Sequence, residues 1–140
     1  MACSTTEHIV NITDMGETQP LAPANPASQL SKEAYRQRVR ELNDDLRSNG
    51  RGGMIVMTNC IALLDRPAIT KVFEAVAAFD DFGEANDPWG EHDCAVLNAI
   101  GLLVMFKIDY FDKSRTYHSP NPADPKVTTR IMTVMLAEEY

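Results

Sequence analysis

Apolar residues in this 140-residue chain come in short runs, and each run is bounded by proline, glycine or a cluster of charges. No run approaches the ~20 residues of a membrane span. The chain therefore has to build its core by packing short elements against one another. One domain is expected on length alone. Apolar residues make up 44% and charged residues 24%, enough to exclude a wholly disordered chain.

The elements follow from periodicity. Residues 1–27 contain Pro20, Pro23 and Pro26 among small polar residues and read as an extended leader, so the domain is placed at 28–140. Tyr35, Val39, Leu42 and Leu46 recur at helical spacing and predict a helix over 32–48, with Ser31 as N-cap and Gly50 as terminator. Gly50, Gly52 and Gly53 form a turn that lacks the Gly-Lys-Ser/Thr ending of a phosphate loop. Met54 to Cys60 reads as a strand. A second helix opens at Pro67 and runs to about Asp80, with Ile69, Val72, Phe73, Val76 and Phe79 on one face.

Cys94–Asn98 and Leu102–Tyr110 then read as a hairpin turning at Gly101. Asp124-Pro125 opens a last helix to about Glu138, with Val127, Ile131, Met132, Met135 and Leu136 as its face. A strand competes there, because Thr128, Thr129, Ile131, Thr133 and Val134 favour β structure. The predicted fold is α+β, in the order α-β-α-β-β-α with a small antiparallel sheet.

Charge is concentrated. The net charge is −7, and residues 80–93 alone hold Asp80, Asp81, Glu84, Asp87, Glu91 and Asp93 with no lysine or arginine. Direct nucleic-acid binding is excluded by the lack of a basic footprint. A basic protein surface is the partner such a loop would attract. The opposing reading is a solvated face that keeps the chain soluble.

A second group of motifs carries a resemblance. Arg40–Asp44 (RELND), Asn86–Asp93 (NDPWGEHD), Lys107–Asp112 (KIDYFD), Ser119–Pro125 (SPNPADP), Thr129-Arg130 and Met135–Tyr140 (MLAEEY) resemble a family of small bacterial domains of unknown function. That family is common in proteobacteria and often carried on plasmids and integrated elements. The likeness covers about residues 35–140. It departs at Trp89, Phe106 and Phe111, where another aromatic is usual, and at Cys94, where an aromatic is common. It implies a setting and no activity.

Candidate chemistry centres on Asp87–Asp93. Asp87, Glu91, His92 and Asp93, with Asp109 from the hairpin, have the residue types of a divalent-metal site, and Lys107 shares a strand face with Asp109. Their spacing matches no metal signature. The competing reading is a turn, begun by Asn86-Asp87-Pro88, bent at Gly90 and held down by His92. Cys94 and His92 could share a face as a nucleophile pair, although both Cys60 and Cys94 read as small core residues. Cys3, Cys60 and Cys94 lack zinc spacing, and the N-terminus lacks a signal-peptide layout, so a cytoplasmic location without cofactor is expected.

Three functions remain. One is a non-enzymatic acidic binding protein, docking through Asp80, Asp81, Glu84, Asp87, Trp89 and Glu91 and inhibiting a host nucleic-acid-processing defence complex, of anti-CRISPR or anti-restriction type. The second is a metal-dependent hydrolase or nuclease on Asp87, Glu91, His92, Asp93 and Asp109. The third is a homo-oligomeric regulatory module.

Overall fold

A computed structural model describes residues 26–140, so the expected leader lies outside the described residues except for its last two positions. Those two are helical. Helix α1 spans Pro26–Asn49, and Ser31 falls inside it rather than at its N-cap. Proline is well placed at Pro26, because the first turn needs no partner for its N–H. The helix ends as expected, with the Gly50 N–H closing on the Leu46 carbonyl at 2.9 Å. Val39 and Leu46 are fully buried.

Strand β1 is only Met54–Met57. Cys60 does not end a strand: it lies in a short helix α2, Asn59–Ala62, which buries Ile61. Helix α3 is Arg66–Ala78, capped by Asp65, whose carboxylate accepts from the Ala68 N–H. Val72 and Val76 are its buried residues, with Phe73 and Phe79 packed at the core edge. Strands β2 (Cys94–Ala99) and β3 (Leu102–Phe111) form the expected hairpin.

The main correction falls at the C-terminus. Residues Thr129–Leu136 form strand β4 and not a helix, followed by a 3-10 turn at Ala137–Glu139. Burial there has the period of two that a pleated strand imposes, with Arg130, Met132 and Val134 all turned to one side. The β-branched residues and this alternation outweigh the Asp124-Pro125 helix start.

The four-stranded sheet has the order β1-β4-β3-β2. It is mixed, because β1 runs parallel to β4 while the other pairs are antiparallel. The α+β class holds; a purely antiparallel sheet does not. Ala95, Val104, Phe106, Ile108, Met132 and Val134 share one sheet face, and Leu46, Ile61, Val72 and Val76 from the three helices close over it. Gly53 sits where α1 turns into β1, and a side chain there would collide with the Arg130 carbonyl. Among the described residues, no helix is long and apolar enough to cross a membrane.

Candidate functional site

Helix α1 carries a polar stripe beside its apolar one. Arg36, Arg40, Asn43 and Arg47 step by four, three and four residues, so they lie along one face. Each reaches for the chain that follows α3.

Asn43, fully buried, is the hub. Its Nδ2 donates to the Glu91 carbonyl at 2.9 Å and to the Tyr110 hydroxyl at 2.7 Å. Its Oδ1 accepts from Arg130 Nε at 2.6 Å. The Tyr110 hydroxyl in turn donates to Glu91 Oε1 at 2.9 Å. Arg130 is buried too, donating to the Pro122 carbonyl at 2.6 Å with its guanidinium 5.0 Å from the Tyr110 ring centre. Helix, loop and two central strands are thereby joined through side chains whose polar groups are satisfied. Burial pushes the Tyr110 phenol well above its usual range, with the Glu91 and Asp93 charges acting in the same direction. Burial also lowers Arg130.

The loop is fastened at three further points. Arg40 donates to the Gly90 carbonyl at 2.8 Å. Gly90 has φ +69° with Arg40 close by, so glycine suits both the backbone and the space. His92 Nδ1 donates to Asp44 at 2.8 Å, and its ring stacks on Phe82 with centres 3.9 Å apart. Asp87 is buried, accepting from the backbone N–H groups of Glu91 and His92 at 3.2 Å. His92 itself sits at φ +58°, in the left-handed region that a non-glycine residue seldom adopts, with these contacts around it. Arg47 secures the start of the loop: its guanidinium donates to the carbonyls of Val76, Ala77 and Phe79 at the end of α3, and to Asp44.

This arrangement separates the residues singled out from sequence. Asp80, Asp81, Glu84 and Trp89 stand exposed on the outside of the loop, Trp89 at 65%. Asp87 and Glu91 turn inward, where they hold the loop's own backbone and Tyr110. Trp89 forms one wall of an open groove of about 350 Å³, with Arg36, Arg40 and Glu33 of α1 opposite. The Arg36 guanidinium lies 5.8 Å from the indole centre.

Asp93 is the strained carboxylate of the group. Burial first, and the Glu91 charge second, raise its pKa from 3.8 to about 6. Asp109 is not part of this assembly; it pairs with Lys107 at 2.7 Å on the opposite sheet face, the side-by-side placement that strand alternation predicts. Among the described residues, no three His, Cys, Asp or Glu side chains are placed to hold a metal ion. The Cys94–His92 pair is not formed either. His92 is engaged with Asp44 and Phe82, while the Cys94 thiol, opposite Lys107, is pushed up to about 11 by burial and the Asp93 charge.

Sequence reasoning missed Asn43, Asp44, Arg47, Tyr110 and Arg130 as site residues. A usable signal existed for the α1 members: polar residues recurring in the same three-four rhythm as the apolar stripe.

The family described as Protein of unknown function (DUF3768) matches residues 57–139, which include the loop, Tyr110 and Arg130 but not α1. No curated protein and no solved structure matches the chain.

Proposed function

Since the chain belongs to the DUF3768 family of proteins of unknown function, we propose from its own geometry that it is a non-enzymatic binding module that docks a basic protein surface through the 80–93 loop. The observation that carries this is the division of labour within the loop. Asp87, Glu91 and His92 fix its backbone from inside, while Asp80, Asp81, Glu84 and Trp89 face out. A loop ordered before encounter loses little freedom on binding, and an exposed indole among carboxylates supplies an anchor with electrostatic guidance. The finer reading is that the basic surface belongs to a nucleic-acid-processing defence complex, which a small acidic protein would inhibit by covering a site meant for phosphates.

Capture from a host lysate with the full chain as bait tests both levels. The combined variant D80N/D81N/E84Q and the single variant W89A are each expected to lose the captured protein. Their melting curves should stay at the parent's, because the altered side chains are exposed. Capture should also weaken with salt as the screening length falls from ~10 Å at 0.1 M to ~3 Å at 1 M. A captured protein that binds both variants as tightly as the parent refutes docking by this loop. One that is not a nucleic-acid-processing component refutes only the finer reading.

A further inference from the structure

Of the sheet's two edges, β1 is only four residues long, whereas β2 offers six, Cys94–Ala99. The hairpin turns through Ile100 and Gly101, at φ +49° and +82°, so Ala99 and Leu102 form its closing hydrogen-bonded pair. Bonding then alternates along the ladder through Leu97 and Ala95 to Asp93, whose carbonyl accepts from the Ile108 N–H at 2.7 Å. The N–H and C=O groups of Cys94, Val96 and Asn98 therefore point away from β3, and among the described residues no backbone partner meets them. Native edges are ordinarily blunted by lysine, proline, a bulge or shortness. Strand β2 has no such protection: it carries neither charge nor proline, and its register with β3 runs unbroken.

We propose that the basic surface docked by the 80–93 loop includes an extended segment, which pairs with β2 as a fifth strand of the sheet; this rests on docking by that loop. Charge chooses the occupant. Phe79 and Phe82 have their ring centres 6.2 Å and 6.3 Å from that of Phe106, the residue paired with Ala95 of β2. The start of the loop, where Asp80, Asp81 and Glu84 are exposed, thus stands over the first half of β2, and the end of the loop runs directly into Cys94. A lysine- or arginine-bearing segment laid along β2 meets carboxylates at that end. A second copy supplies no such complement, since its own β2 is uncharged and arrives with an acidic loop. In strand addition the main-chain bonds give affinity and the alternate side chains give specificity. Val96, 49% exposed on the edge strand, offers those side chains an apolar neighbour.

Amide hydrogen exchange of the full chain, followed by nuclear magnetic resonance, reads the edge directly. The probe is a short synthetic peptide alternating lysine with valine or threonine, and its control has glutamine in place of lysine. The amides of Cys94, Val96 and Asn98 are expected to exchange fast in the free chain and to slow at least about tenfold at saturation with the lysine peptide. V96P removes one outward N–H and no ladder bond, so it should keep the parent's spectrum and bind the peptide about tenfold more weakly, while V96T binds as the parent does. Should V96P fail to fold, the exchange footprint on the parent decides alone. No peptide binding overturns the proposal. Binding that leaves these amides fast, or that a folded V96P does not weaken, overturns strand addition and leaves docking by the loop standing. Binding indifferent to D80N/D81N/E84Q, or equal with the glutamine peptide, overturns loop docking and with it the basic occupant. Amides already slow in the free chain overturn the proposal too: a second copy holds the edge if protection fades on dilution, and another part of the same chain if it does not.

Discussion

Asn43 decides more of this structure than its size suggests. One amide satisfies a guanidinium, a phenol and a backbone carbonyl, all from segments distant in sequence. Asn43→Ala takes one hydrogen-bond partner each from Arg130 Nε, the Tyr110 hydroxyl and the Glu91 carbonyl, and chemical denaturation is expected to show a loss of about 2–4 kcal/mol. Asp93 has the opposite sign. Its acid keeps its proton in the fold up to about pH 6, against the ordinary 3.8. Its contribution to stability is therefore greatest at low pH and falls as pH rises between those two values. Asp93→Asn should raise stability at pH 8 by up to about 2 kcal/mol and leave it nearly unchanged at pH 4, as melts at both pH values would show. Neither role is legible in sequence. Asp93 reads as one more acid in a run of acids; Asn43 recurs in register with Arg36, Arg40 and Arg47, but that rhythm does not say that its amide is buried or what it holds, which is a tertiary fact.

Among the elements, those with a single clear period were legible. Helix α3 and the β2–β3 hairpin stand close to where apolar spacing, the proline near the helix start and the turn glycine put them. Strand β4 was not, since Met132, Met135 and Leu136 also fit a helical stripe and only pairing on both sides settles the matter. The capping of the end of α3 was equally hidden. Its last carbonyls are satisfied by Arg47 of α1, at 3.1 Å to Val76, 3.2 Å to Ala77 and 2.7 Å to Phe79. A cation there also complements the negative end of the helix. The same guanidinium lies over Phe82 and Phe106. Arg47→Met keeps much of the packing volume but abandons the carbonyls. Denaturation should register a cost of about 2–4 kcal/mol, with the loss of protection from hydrogen exchange concentrated at 76–82.

At the scale of the whole molecule, the charge of the 80–93 loop and the partly exposed apolar residues of the sheet are set apart. The acidic loop stands on the helix side, whereas Met54, Val56, Val96 and Leu103 are partly exposed on the far sheet face. The acidity was plain in the sequence, whereas the apolar face was dispersed over four strands and emerges only from their register. Strand order has a further consequence, for the time at which the protein can exist at all. Among the described strands, the one that comes fourth in chain order is a central one: β1 pairs only with β4, and β3 has β4 on one side. Until residues 129–136 leave the ribosome, β1 has no strand to join and Asn43 has no Arg130 to hold. The sheet is thus completed only once β4 has been made, through its most sequence-distant contacts, and a message cut short of β4 yields no native sheet.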